Sequence, residues 1–209
     1  MTICVIPARG GSKRIPKKNI KSFSGKPMIQ WAIEAAQESN IFDQIIVSTD
    51  DEAIADISKD LGALVPFKRS QELSDDFTNT TDVIADACRW AKEAGLDAEI
   101  VCCLYATAPF VRAADLIEAY RIIRASDWQY VFSVAEYSSP IFRSFQQTDT
   151  QGVKMFFPEH FDSRSQDLPQ ALHDAGMFYM GRSDAWVQGL RIFENHSFPL
   201  KIPSWRVQD

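Results

Sequence analysis

The sequence predicts an α/β protein: a Rossmann-like doubly wound, mainly parallel sheet. Three observations carry that prediction. Short apolar runs rich in Ile and Val alternate along the chain with helix-period segments, which implies strand–crossover–strand units with right-handed connections. The run Glu-Ile-Val-Cys-Cys-Leu-Tyr at 99–105 is almost continuously apolar, as a central strand covered on both faces requires. The first apolar run, at 3–6, leads directly into a basic loop that carries two glycines.

Taken in order, residues 3–7 form the first strand. Residues 27–39 read as a helix with Met28, Ala32, Ala35 and Ala36 on one face. Residues 43–48 are a strand centred on Ile45-Ile46-Val47. Thr49-Asp50-Asp51-Glu52 has the capping-box spacing, so a helix starts there, runs to Leu61 and stops at Gly62. Residues 63–67 read as a short strand. Thr80 or Thr81 can cap the next helix, whose inward positions are Ile84, Ala87, Trp90, Ala91 and Ala94 and which Gly95 ends. After the central strand, 113–125 are helical and 130–134 again a strand. The pattern then changes. Residues 135–173 hold many turn residues, including Pro140, Pro158 and Pro169, with a strand-like patch at 153–157. A strand at 175–180, a short helix at 182–188 and a last strand at 198–202 follow. The expectation is one domain, 1–209, with 135–173 as an inserted excursion suited to hairpins, to covering a substrate and to a subunit contact.

Composition narrows the function. The 209 residues are 45% hydrophobic and 24% charged, ordinary for a packed globular chain. The net charge is −6 and the single basic cluster is short, so an extended nucleic-acid surface is not expected. No apolar run approaches the roughly 18 residues of a spanning helix, and the first residues lack the layout of a signal peptide. A cytoplasmic setting without membrane partners is expected. Cys4, Cys88, Cys102 and Cys103 form no CxxC and read as buried, reduced thiols. Adjacent Cys102 and Cys103 face opposite sides of a strand, which argues against a shared metal.

The chemistry concentrates in residues 9–26, which hold seven Lys or Arg and no Asp or Glu. A glycine-bearing basic loop after a first strand is a place to hold phosphates. It is not a Walker A loop, because Gly25-Lys26 is followed by Pro27 and position 20 is Ile; nor is it GxGxxG. Gly10 and Gly11 let the backbone approach an anion, Ser12 adds a hydroxyl, and Arg9, Lys13 and Lys18 supply charge. Tyr105 stands at the C-terminal end of the central strand, where open α/β sheets bind ligands, so Tyr105 and Thr107 are candidate substrate contacts.

The stretch Ile-Pro-Ala-Arg-Gly-Gly-Ser-Lys-Arg-Ile-Pro-Lys-Lys-Asn at 6–19 resembles the opening of the CMP-N-acetylneuraminate (CMP-sialic acid) synthetase family, cytidylyltransferases that activate 2-keto acid sugars with CTP. The resemblance continues through Phe42-Asp-Gln-Ile-Ile-Val-Ser-Thr-Asp50, Arg69-Ser-Gln-Glu-Leu-Ser-Asp-Asp76 and Tyr105-Ala-Thr-Ala-Pro-Phe110 to Arg206-Val-Gln-Asp209. Phe132-Ser-Val, Arg164-Ser-Gln-Asp-Leu-Pro169 and His173-Asp-Ala-Gly-Met-Phe-Tyr-Met-Gly181 fit best the branch that acts on pseudaminic acid. The same reaction on N-acetylneuraminic or legionaminic acid, and a CTP-binding relative without turnover, stay open as alternatives.

The resemblance implies a nucleotide-diphospho-sugar transferase type of fold, a homodimer and a Mg²⁺ cofactor. It implies that Ala8, Arg9, Gly10, Ser12 and Lys18 hold the CTP phosphates, with Arg9 and Lys18 catalytic, and that Asn19 reads the cytosine. Read alone, Asn19 is equally a turn residue. Arg69, Thr80 and Thr81 lie where the family completes the nucleotide pocket. Arg164 and Gln166 would serve the sugar carboxylate, although a surface Arg is the competing reading. His173 and Asp174 would serve the sugar, as an acid–base pair or by positioning, and a helix or turn cap is an equal reading of the two. The family's tail continues as Asp-Ile-Asp-Thr, whose two aspartates hold the metal. Here the sequence stops at Asp209, the first of them, which implies a partial metal site.

Overall fold

In this computed structural model, which describes residues 1–12, 14–75 and 78–208, the apolar runs become strands and the periodic segments helices. The order is β1 (Thr2–Pro7), a small hairpin of β2 (Ser22–Phe23) and β3 (Lys26–Pro27), α1 (Met28–Ser39), β4 (Gln44–Ser48), α2 (Glu52–Asp60), α3 (Thr80–Glu93), β5 (Ile100–Leu104), α4 (Ala113–Arg124) and β6 (Tyr130–Glu136). A second hairpin of β7 (Phe145–Gln147) and β8 (Val153–Met155) follows, then β9 (Leu172–Arg182), α5 (Ser183–Val187) and β10 (Ser197–Lys201).

Six strands form the main sheet in the order β10-β6-β9-β5-β1-β4. β1 lies parallel to both β4 and β5, and β10 parallel to β6. β9 runs antiparallel between β5 and β6, the one reversed strand in an otherwise parallel sheet. Side chains alternate between two cores. Cys4, Ile6, Cys102 and Leu104 pack with α1 and α4 on one face; Ile3, Val5, Val101 and Cys103 pack with α3 and α5 on the other. All four thiols are free and buried, and Cys102 and Cys103 do face opposite cores. Each fully buried aliphatic side chain contributes about 1.5–3 kcal/mol, so the sheet is a stiff platform for its loops.

Local expectations shift in five places. The buried positions of α1 include Ala32, Ala35 and Ala36 as expected, joined by Ile29 and Ile33, while Met28 is only half-buried. The cap of α2 is Asp51, whose carboxylate accepts the Ile54 N–H at 3.0 Å, and that of α3 is Asn79, which accepts from Asp82 at 2.8 Å. Ala94 is exposed beyond the end of α3. Residues 63–67 form no strand: Leu64 makes one parallel bridge to Ile46, and Pro66, lacking an N–H, cannot extend the ladder.

Residues 137–171 leave the sheet as three short 3₁₀ turns around the β7–β8 hairpin. They expose Phe145, Val153, Phe156 and Phe161. No described helix is long and apolar enough to cross a membrane.

Candidate active site

Parallel strands β1, β4 and β5 all end at one edge of the sheet. From β1 the chain crosses to β4 on one side, and from β5 it crosses by α4 to β6 on the other. The loops diverge between them, at the switch point where open α/β sheets form their ligand crevice.

The loop after β1 is pinned into this edge by its backbone. Ala8 is buried and donates to the Ser48 carbonyl at 2.9 Å, and the Gly10 N–H donates to Asp50 Oδ1 at 2.9 Å. Gly10 tolerates no side chain: a Cβ there would lie 2.6 Å from Asp51 Oδ2 and 2.9 Å from Asp51 Cβ. Ser12 N–H turns back to the Gly10 carbonyl at 3.0 Å. Lys17 takes a left-handed conformation, φ 53°, and so starts the 3₁₀ turn Lys18–Ile20. That turn buries Asn19, whose side-chain amide donates to the Arg9 carbonyl at 2.9 Å. Lys18 is half-exposed beside it. Arg9 reaches across the crevice, its Nη1 donating to the Asp75 carbonyl at 2.8 Å. Lys13 lies outside the described residues.

Arg69 closes the floor. It is 5% exposed, with Nε on Ser48 Oγ at 3.0 Å and Nη2 on the Ser48 carbonyl. Burial pulls its guanidinium down to about 10, and attraction to Asp50 opposes that pull. The group therefore stays cationic at neutral pH.

A line of hydroxyls forms the other wall. Thr80 Oγ1 and Tyr105 OH are 2.9 Å apart, so Thr80 serves the pocket rather than capping α3. The Tyr105 ring stands edge-on to Tyr179 at 5.6 Å, and Tyr179 OH donates to the Asp174 carboxylate, which also accepts the Gly176 N–H at 3.0 Å. Burial raises both phenols, Tyr105 to about 12 and Tyr179 further, so both remain hydrogen-bond donors. Gly176, at φ 59°, makes the kink that brings the start of β9 to this edge; the β6–β9 register shifts beside it.

The structure thus gathers Ala8, Arg9, Gly10, Ser12, Asn19 and Arg69 at one wall and Thr80, Tyr105 and Asp174 at the other. Thr81 and Thr107 are half-buried next to Thr80 and Tyr105. Arg164 and Gln166 are exposed on a 3₁₀ turn of the excursion, with Arg164 paired to Asp167 at 2.7 Å. The His173–Asp174 acid–base pair does not form. Both residues lie within β9, where successive side chains alternate in direction. Among the described residues His173 Nδ1 meets the Asp174 backbone carbonyl, at 2.9 Å, and its ring packs on Tyr137. Asp209 lies outside the described residues. Among the described residues, no three His, Cys, Asp or Glu side chains converge to hold a metal.

Sequence reasoning passed over Ser48, Asp50 and Tyr179. Asp50 had a readable signal, the first carboxylate past a parallel strand. Tyr179 had none, because only the antiparallel pairing of β9 with β5 brings it beside Tyr105.

The sequence profile of the family described as cytidylyltransferase matches residues 3–187. The pseudaminic acid cytidylyltransferase of Campylobacter jejuni serotype O:2 is 44% identical over 201 residues, covering 96% of this chain and 87% of that protein. A Helicobacter pylori protein described as a pseudaminic acid cytidylyltransferase and UDP-2,4-diacetamido-2,4,6-trideoxy-beta-L-altropyranose hydrolase is 35% identical over 99% of this chain and 40% of its own length. The solved structure of a CMP:2-keto-3-deoxy-manno-octonic acid synthetase complexed with CTP superposes with a TM-score of 0.72 at 19% identity, covering 97% of this chain and 90% of that one. The last likeness speaks for the fold.

Proposed function

The chain belongs to the cytidylyltransferase family, and from that premise we propose that it activates pseudaminic acid with CTP, giving CMP-pseudaminic acid and pyrophosphate. One observation carries the chemistry: a basic glycine loop and a buried Arg69 face a wall of hydroxyls across the crevice at the switch point. The first wall suits a triphosphate and the second a polyhydroxylated acid. The 44% identity over nearly the whole chain supports the choice of acid.

In this reading the anomeric 2-hydroxyl gives up its proton to solvent and its oxygen bonds to the α-phosphorus as the bond to the α–β bridging oxygen breaks, and pyrophosphate leaves with the electron pair. Arg9, Ser12 and Lys18 bind and neutralise the phosphates, and Asn19 presents its amide to the cytosine edge. Catalysis is then positioning plus charge stabilisation. Tyr105 and Thr107 orient the sugar, with Asp174 held toward it by Tyr179. Arg164, Gln166 and His173 complete that side, brought from the excursion and the start of β9.

Mg²⁺ suits this site, since it takes one or two carboxylates plus phosphate oxygens and needs no protein cage. Asp209 would hold it beside the triphosphate, and the ion would supply charge neutralisation there. A homodimer through the excursion, at work in the cytoplasm, fits the exposed Phe145, Val153, Phe156 and Phe161.

The test is pyrophosphate release from CTP and Mg²⁺ with pseudaminic, N-acetylneuraminic and legionaminic acids in parallel. Turnover confined to pseudaminic acid is the expected outcome. Preference for another acid reassigns the substrate, and tight CTP binding with no pyrophosphate from any acid turns the protein into a nucleotide-binding regulator.

A further inference from the structure

We propose that Asp50 is a positioning residue that pins the phosphate loop from beneath. The inference rests on the reading that residues 8–19 hold CTP. The Gly10 N–H, in the middle of that loop, is bound to Asp50 Oδ1 at 2.9 Å. A carboxylate on such an amide has two possible roles. It can occupy the seat of a phosphate, to be displaced when CTP arrives, or it can fix the turn so that neighbouring donors face outward.

The mount of Asp50 decides for the second role. On one side the Asp51 N–H is held by Thr49 Oγ1 at 3.1 Å, and the Asp51 carboxylate caps α2. On the other, the Arg69 N–H bonds to the Thr49 carbonyl at 2.9 Å and its buried guanidinium grips Ser48 while attracting Asp50. The aspartate therefore sits at the junction of β4, α2 and Arg69, on a backbone held from both sides. Arg69 attracts it, which offsets part of its repulsion toward an incoming polyanion. Gly10 lies so close over Asp51 that a Cβ would meet it at 2.6 Å. Backbone packing and the carboxylate bond thus fix the same turn, and the loop residues beyond it, exposed Gly11 and half-exposed Ser12, are left on the crevice side.

The experiment compares the wild type with Asp50→Ala, Asp50→Asn and Gly10→Ala. Amide hydrogen exchange of residues 8–12 is followed in ligand-free protein, CTP affinity by calorimetry, and kcat and KM for CTP by pyrophosphate release. Asp50→Ala should speed exchange at 8–12 and weaken CTP binding by about tenfold to a hundredfold, the worth of a hydrogen bond to a charged group. KM should move more than kcat. Asp50→Asn keeps an acceptor oxygen for Gly10 and should recover most of the loss. Gly10→Ala displaces the same turn by its clash with Asp51 and shows what loss of that geometry does to CTP binding, and Asp50→Asn keeps the test alive if Asp50→Ala does not fold. Tighter CTP binding in Asp50→Ala would favour the displaced-anion role and overturn the proposal. So would unchanged exchange at 8–12. Were the wild type not to bind CTP at all, the functional reading would fail while the exchange arm still judged Asp50.

Discussion

Arg206→Ala should destabilise the protein by about 3 kcal/mol. Its guanidinium is buried and forms a bidentate pair with Asp115, Nη1 to Oδ2 at 2.7 Å and Nη2 to Oδ1 at 2.9 Å. Removing one partner of a buried pair costs roughly 3–5 kcal/mol, because the other charge is left without compensation. Two features place this case at the low end. Asp115 keeps the Arg112 N–H, at 3.1 Å, in the first turn of α4, where the helix dipole favours a carboxylate. Arg206 Nε is buried without a hydrogen-bond partner among the described residues, and its desolvation is relieved when the side chain goes. For a chain of this size 3 kcal/mol lowers the melting temperature by about 6–12 °C. Urea unfolding followed by circular dichroism measures the loss. Arg206→Lys should not restore it, since an ammonium cannot reproduce the fork. Asp115→Ala should cost a similar amount, and the double variant at least about 2 kcal/mol less than the sum of the singles. A loss below about 1 kcal/mol for Arg206→Ala, or strict additivity in the cycle, would refute the reasoning.

Arg9→Ala should slow pyrophosphate release by on the order of 10²-fold if Arg9 stabilises the transferring phosphate, and a near wild-type rate removes it from that role. Tyr105 is raised from 10.0 to about 12, so the folded state holds its proton more tightly than the unfolded chain. Its contribution to stability is full below pH 10.0 and is lost as the pH rises through about 12. Tyr105→Phe should therefore flatten part of the alkaline fall in urea midpoints, and identical alkaline profiles count against the assignment. Burial pushes the Cys88 thiol up to about 11 and those of Cys4 and Cys103 up as well. Ellman's reagent at about pH 8 should react slowly with the native protein and with four thiols after denaturation; rapid native reaction would mean an open core.

Much of the fold is legible in the sequence because burial on both faces leaves a local mark. β5 reads as central from its unbroken apolar run, and it lies between β9 and β1. What a sequence reports poorly is any choice settled between distant segments. Thr80 looks like a helix cap, yet its hydroxyl goes to Tyr105, 25 positions away, and Asn79 takes the cap. The direction of β9 leaves no local trace, since an alternating apolar segment reads the same either way. In the site, the glycine loop could be read from residue type and Arg69 from the family resemblance, whereas Tyr179 reaches Tyr105 only when β9 is laid against β5.

The reversal of β9 has a functional consequence that follows from topology alone. β6 is parallel to β10 and ends at Glu136; β9, antiparallel to β6, begins opposite it, with Glu136 paired to Leu172. β9 is also antiparallel to β5, so its start arrives at the edge where β5 delivers Tyr105. The excursion at 137–171 must therefore leave and rejoin the sheet at the same edge as the crevice. A parallel β9 would have required a crossover and placed its start at the far edge. Reversing one strand in the middle of the sheet sets Asp174 and Tyr179 against Tyr105. It also anchors both ends of a segment carrying Arg164 and Gln166 at that edge. The wall of Tyr105, Tyr179 and Asp174 is thus built from long-range pairing, and the wall of Ala8, Arg9 and Gly10 from one short loop laid across two strand ends.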